Sequence, residues 1–319
     1  MSRVGCAGIL VADTFCGPLA ALPQPGELIA VDDLPQSAGG CAANVAIGLA
    51  RQGVGVEISG CVGEDASAAM IVSELTRAGV GCAKIVRTER LPTSKTVILL
   101  AGGCDRRYIH AFGANAAYRV ADIERDWALG LDVLYVGGVF ALPAFALDAL
   151  AELLAACRAA GVKTVLDVVV PSGRDLVGAL DAVLRHVDYF LPNADEARAL
   201  TGETTPEAQI RRLLVAGTRT VIVTCGAAGA LACDGERLLN SSAHRFEAVD
   251  PSGSGDAFTA GVIAAIVGGL DLPAALRYGA ALGRSAACAV GATRSVFTAG
   301  EATGFMSRNP LEIKENQWK

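Results

Sequence analysis

The segment Asp250-Pro-Ser-Gly-Ser-Gly-Asp-Ala-Phe-Thr-Ala-Gly-Val262 anchors the reading of this 319-residue chain. Three small residues, Gly253, Ser254 and Gly255, lead into a carboxylate, Asp256, and then an apolar run from Ala257 and Phe258 to Val267. The pattern predicts a tight turn feeding a helix N-terminus, where unpaired backbone N–H groups and the helix dipole make a site for an anion. A carboxylate set against a bound phosphate needs a task, such as taking a proton from an attacking hydroxyl. The plainer alternative is an Asp that caps a helix after a glycine-rich turn.

Outward from this turn the chain repeats strand, glycine, helix. Val4–Ala12, Val54–Cys61, Val133–Val136, Thr164–Val168, Tyr189–Leu191 and Thr220–Thr224 are short apolar runs rich in β-branched residues. Helical periodicity occupies Ala42–Gln52, Ala66–Ala78, Phe145–Ala160 and Ala194–Leu200, several of them closed by glycine. Alternation of this kind predicts a three-layer α/β sandwich whose central sheet is mainly parallel, with helices on both faces.

Two segments break the rhythm. Gly17 to Gln36 carries Pro18, Pro23, Pro25 and Pro35, with a short extended piece around Glu27–Val31. Thr93 to Phe112 reads as a hairpin, Thr96–Leu100 and Arg107–Phe112 joined by a turn at Gly102-Gly103-Cys104-Asp105. Together they predict a small β-sheet lid (residues 17–36 and 93–112) on a main α/β domain (1–16, 37–92 and 113–306), with a peripheral polar tail at 307–319. Ligands of open α/β sheets bind beyond the carboxyl ends of the strands, where a lid excludes water.

The length suits one large α/β unit with an appendage, and 52% hydrophobic against 19% charged residues suits a well-cored globule. A net charge of -6, no basic run and 5% aromatic residues argue against nucleic-acid binding. Ten cysteines are scattered among apolar neighbours without a Cys-x-x-Cys pair, which suits reduced thiols in a cytoplasmic core. Three histidines, none near a Cys pair, make a zinc site improbable. The run Val4–Ala12 is too short to span a membrane and reads as a first strand rather than a signal peptide, so no membrane association is expected.

Absences narrow the chemistry further. None of the five lysines follows a glycine, so no P-loop is present; no Gly-x-Gly-x-x-Gly follows a strand, and no Gly-x-Ser-x-Gly marks a hydrolase nucleophile. Over nearly its whole length the sequence resembles the ribokinase/PfkB family of carbohydrate kinases. Asp250-Pro-Ser-Gly-Ser-Gly-Asp-Ala-Phe matches the family's C-terminal signature with Pro251 in place of the usual Thr, and Gly39-Gly40-Cys-Ala-Ala-Asn44-Val-Ala matches its N-terminal one. Asn193-Ala-Asp-Glu196 matches the Asn-x-x-Glu motif, Val223-Thr224-Cys-Gly226-Ala-Ala-Gly229 the nucleotide loop, and His110-Ala-Phe-Gly-Ala-Asn115 the segment after the second lid hairpin.

The resemblance implies a ribokinase-like fold and an ATP-dependent transfer of phosphate to a hydroxyl, a primary one, of a small neutral sugar. Asp256 would be the base, and the amides of Gly253, Ser254 and Gly255 an anion hole for the transferred phosphoryl group. Asp13, Gly39, Gly40 and Asn44 would grip the sugar; Asn193, Thr224, Gly226 and Gly229 would serve the nucleotide. Glu196 would hold Mg²⁺ through water. Asp250 and the Ser252 carbonyl would form part of a site for a monovalent cation such as K⁺, completed by Gly291–Ser295. In some relatives the lids of two subunits clasp, so the resemblance also allows a homodimer.

Bland alternatives stand beside these roles. Asp13 reads equally as a turn residue, Asn193 as an N-cap, Glu196 as a solvated helix residue, and Thr224–Gly229 as a plain β-turn. Ribokinase itself has Lys at the position of Cys41 and a sugar-contacting glutamate where Val139 aligns, so ribose is not implied. Arg106 and Arg107 in the lid could meet a phosphorylated sugar, or be solvated hairpin charges. A nucleoside kinase of the same family, with an apolar lid residue such as Phe112 against the base, and a sugar-binding protein without turnover are the rival readings; the intact Gly-Ser-Gly-Asp256 speaks against the second.

Overall fold

The computed structural model describes residues 3–101, 105–171 and 173–318. The chain begins with β1 (Arg3–Gly8), β2 (Val11–Leu19) and β3 (Gln36–Gly39), then α1 (Cys41–Arg51), β4 (Gly55–Gly63), α2 (Ala66–Arg77) and β5 (Gly81–Thr88). β6 (Lys95–Ala101) and β7 (Asp105–Ala111) are followed by α3 (Arg125–Leu129), β8 (Val133–Gly137), α4 (Leu147–Ala159), β9 (Lys163–Leu166), α5 (Asp181–Leu184) and β10 (Tyr189–Phe190). Next come α6 (Ala194–Thr201), α7 (Pro206–Val215), β11 (Thr220–Thr224), β12 (Ala230–Cys233) and β13 (Arg237–Ser241). The chain ends with α8 (Ser254–Val267), α9 (Leu272–Ala286), α10 (Ala299–Arg308) and β14 (Ile313–Gln317).

The large sheet has the order β14-β13-β12-β11-β10-β9-β8-β1-β4-β5. From β5 to β11 neighbouring strands are parallel, and β12 to β14 close one edge antiparallel. Helices cover both faces, so the inner strands are apolar runs without alternation: all of β8 is buried. The fold is the expected three-layer α/β sandwich, with a smaller separate sheet of order β3-β2-β6-β7. In that sheet β2 and β6 are parallel and the outer pairs antiparallel. Phe15, Ile98 and Leu100 form its apolar cluster and pack against Val290 of the large unit.

Several expectations change. The apolar run Val4–Ala12 is two strands, because the chain leaves the large sheet at Ile9–Leu10 and enters the small one at Val11. The Asn115 side chain takes both the N–H and the carbonyl of Leu10, replacing the ladder partners lost at the crossing. Asp13 therefore sits inside β2 and is neither past a strand end nor in a turn. The small sheet is wider than 17–36 and 93–112, taking in Val11–Cys16 and Ser37–Gly39. Glu27–Val31 is not a strand; Leu28 is 87% exposed, and without a buried face nothing rewards extended pairing there. The 307–319 tail contributes β14, paired with β13, and Trp318 lies under Arg211. Of the hairpin turn, residues 102–104 lie outside the described residues.

What positions the site is the packing of α1 on α8. A Cβ on Gly48 of α1 would lie 2.6 Å from the Cβ of Ala260 on α8, so the two helices approach through their small residues. On its other side α8 meets α9 as closely, a Cβ on Gly261 falling 2.8 Å from Gly279 Cα. Sandwiched this way, α8 is apolar around its circumference.

Candidate active site

The N-termini of α1 and α8 converge. Asn44, in the first turn of α1, donates from Nδ2 to Asp256 Oδ2 at 2.8 Å, in the first turn of α8. Burial raises the Asp256 carboxyl above its ordinary range, and hydrogen bonds from Asn44 and the Cys41 thiol oppose the rise. Asn44 Oδ1 is buried and without a hydrogen-bond partner. The turn into α8 needs its glycine: Gly253 has φ 73°, and a Cβ there would fall 2.5 Å from the Ala292 carbonyl oxygen. Gly255 is the opposite case, since a Cβ on it would meet no atom within 4 Å and would project into the open cleft.

The Gly39–Gly40 pair has its own reason. A Cβ on Gly39 would collide with the Asp13 carboxylate, and Gly40, at φ 90°, caps α1 against the Ile9 carbonyl. Asp13 is 7% exposed, and burial pushes its carboxyl up to about 7, a hydrogen bond from Thr96 lowering it and the charges of Asp256 and Asp250 raising it further. Asp13, Gly39, Gly40, Asn44 and Asp256 are thus brought to one cleft.

Asn193 is the N-cap of α6, its Oδ1 accepting from the backbone N–H groups of Asp195 and Glu196, while Glu196 Oε2 accepts from the Asn193 N–H at 2.9 Å. The N-cap reading of Asn193 holds in this geometry, and Glu196, half-buried, spends Oε2 on the Asn193 N–H. Glu196 is drawn inward, and its carboxyl is pushed up to about 7 by burial, by nearby Asp256 and by Asp195. Asn193 also bridges to Thr224 beside it. Thr224, Gly226 and Gly229 form the turn between β11 and β12, and all three line a cavity of ≈ 490 Å³. Ser254, Gly255, Phe258, His244 and Arg284 line the same cavity. Ser254 Oγ and His244 Nε2 are buried without hydrogen-bond partners. The volume and mixed lining suit a nucleotide.

Asp250 is fully buried and uses both carboxylate oxygens on backbone amides, Ser252 N–H at 2.9 Å and Gly291 N–H at 3.0 Å. It thereby ties the turn before α8 to the loop carrying Ala292. Each of those oxygens keeps a second lone pair, so the carboxylate and the unpartnered Ser252 Oγ remain as oxygen donors of the kind a monovalent cation takes. Glu196, crowded by other acids, fits a water-bridged divalent cation.

Sequence reading passed over Asp167. It lies one residue past β9, 8% exposed, and accepts from Tyr135 Oη at 3.2 Å and from the Val168 N–H, while burial, Glu196 and Asp256 push its carboxyl well above the usual carboxylate range. The signal that could have found it is an acidic residue at the carboxyl end of a central strand. Cys41, noted only for its difference from ribokinase, lies against the same group.

The family model described as "pfkB family carbohydrate kinase" matches residues 1–299. The 2-dehydro-3-deoxygluconokinase of Bacillus subtilis (strain 168) is 29% identical over 270 residues, covering 81% of this chain and 83% of that protein. The ribokinase of Haemophilus influenzae is 24% identical over 288 residues, 89% of this chain and 92% of that one. In structure, Arabidopsis thaliana ribokinase complexed with ribose and ATP superposes with a TM-score of 0.80 at 25% identity, covering 96% of this chain and 98% of that chain. Thermotoga maritima ribokinase, at 21% identity, shares the fold with a TM-score of 0.82, over 96% of this chain and 100% of that chain. With a family match over almost its full length, the chain belongs to the pfkB family of ATP-dependent carbohydrate kinases.

Proposed function

We propose that the protein transfers the γ-phosphoryl group of ATP to a hydroxyl, a primary one, of a small neutral sugar or sugar derivative. The observation that carries this reading is Asp256: a half-buried carboxylate held by Asn44 at the start of α8, beside Gly255, whose open side borders the ≈ 490 Å³ cavity. Asp256 takes the proton from the acceptor hydroxyl. The backbone N–H groups of Gly253, Ser254 and Gly255 face the charge on the phosphoryl group in flight, and a helix N-terminus favours that charge further. Asp13, Asn44 and the Gly39–Gly40 backbone hold the acceptor, with Asn44 Oδ1 free to accept from one of its hydroxyls. Glu196 would hold Mg²⁺ through water, and the cation would supply positive charge against the phosphate oxygens. The small sheet is taken as the lid that keeps water from the reacting atoms.

The relatives support a sugar acceptor by their names, a ribokinase and a 2-dehydro-3-deoxygluconokinase. The test is a coupled ADP-release screen with Mg-ATP and K⁺ against neutral sugars, sugar acids and nucleosides, repeated with Asp256→Asn. A hit among neutral sugars that falls about a hundredfold or more in the variant is the expected result, the size of a lost positioned base. Asp256→Asn turning over within a few-fold of wild type would remove Asp256 as the base, and a hit confined to nucleosides would replace the sugar.

A further inference from the structure

We propose that Cys41, Asp167 and Asp256 form a binding site for one thiophilic divalent cation, of the Zn²⁺ and Cd²⁺ class. Each residue offers one ligand atom, and the three atoms lie within 4.8 Å of one another. Among the described residues no other group of three His, Cys, Asp or Glu comes so close. They arrive from separate elements: the first residue of α1, the residue after β9 and the first turn of α8. Cys41 and Asp167 are each 8% exposed, so their geometry is set by packing rather than by solvent.

Tetrahedral Zn²⁺ with a sulfur ligand at about 2.3 Å and oxygens at about 2.0–2.2 Å needs donor atoms roughly 3.5 Å apart. The three side chains therefore close by about 1 Å, within the reach of their torsions. The charge also asks for a cation. The main charges that shift Cys41 are those of Asp256, Asp167 and Glu196, and the main ones that shift Asp167 are those of Glu196 and Asp256, all carboxylates. A second observation points into the same place. Asn44, 6% exposed, is bound through Nδ2 to Asp256, and the Oδ1 of that same amide has no partner. It can take the fourth position or accept from a metal-bound water. Tyr135 Oη, donating to Asp167, supplies the outer hydrogen bond that orients a carboxylate ligand. The thiol selects the metal: sulfur favours Zn²⁺ and Cd²⁺, whereas Mg²⁺ and Ca²⁺ prefer oxygen alone.

On binding, a metal–sulfur bond replaces the S–H bond and the proton passes to solvent, with no change of oxidation state. The metal also occupies an oxygen of Asp256. On the reading that Asp256 is the base, which this consequence rests on, the bound cation stops turnover.

The test uses the full-length protein, freed of metal by chelation and titrated with Zn²⁺, and separately with Cd²⁺, in competition with a chromophoric chelator. Wild type is expected to bind one equivalent more tightly than either Cys41→Ser or Asp167→Asn by at least tenfold, while Cys225→Ser, outside the cluster, binds like wild type. Equal stoichiometry and affinity in wild type and both cluster variants overturns the site. With an acceptor in hand, Zn²⁺ is expected to inhibit wild type at a concentration at least tenfold lower than Cys41→Ser. Tight binding without inhibition keeps the site and removes Asp256 as the base; absence of any kinase activity leaves the binding comparison to decide by itself.

Discussion

Gly253 and Gly255 are two residues apart, yet a methyl group on each should have opposite consequences. At Gly255 a Cβ meets nothing within 4 Å and the backbone is helical, so Gly255→Ala should leave stability unchanged or raise it by up to about 1 kcal/mol, the helix-propensity difference. At Gly253 the same methyl must adopt φ 73°, costing about 1–2 kcal/mol, and would sit 2.5 Å from the Ala292 carbonyl oxygen and 2.6 Å from its Cβ. Overpacking against backbone adds about 1–3 kcal/mol, so Gly253→Ala should lose roughly 2–5 kcal/mol in all. Activity should sort differently. Gly255→Val projects its branched side chain into the cleft where the phosphate would lie, and displacing one transition-state donor costs about 10²–10³ in turnover. Thermal unfolding measures the first contrast and ADP release under Mg-ATP with the identified acceptor measures the second. A Gly255→Val protein that folds and turns over like wild type would refute the anion hole, and a Gly255→Ala protein as unstable as Gly253→Ala would refute the local geometry.

The buried acids set a pH dependence with a definite sign. The Asp13 carboxyl is raised from 3.8 to about 7 and that of Glu196 from 4.5 to about 7, so between these limits the folded state holds protons that the unfolded state has released. Their stabilising share is complete below the unfolded values and is lost as pH rises toward 7; the unfolding midpoint of Asp13→Asn should therefore gain on wild type across that window, and a pH-independent difference would contradict the burial of Asp13. Asn115, fully buried, bonds both backbone groups of Leu10 where the chain crosses between sheets. Asn115→Ala strands both groups and should cost about 2–4 kcal/mol in denaturant unfolding; a loss below 1 kcal/mol would mean that water or another group replaces the amide.

The parts of this protein legible in its sequence are those written at fixed short offsets. Gly253-Ser-Gly-Asp256 announces a turn and a helix start because a left-handed glycine, bare amides and a carboxylate are local requirements. The Asn193–Glu196 spacing is that of a capping box, with donor and acceptor three residues apart on one turn. The strand and helix runs follow from burial on one face or two, and the family signatures are strings of such local needs. Asp13 was legible as an acid but not as a residue of the small sheet, since an apolar run looks the same whether one sheet or two bury it. The C-terminal strand β14 is polar and exposed along most of its length, so no periodicity marks it, and only its pairing with β13 makes it a strand. Tertiary structure alone decided that Cys41, Asp167 and Asp256 share one site. That meeting depends on Gly48 letting α1 approach α8 and on where β9 ends in the sheet order, relations between distant segments that no local pattern encodes.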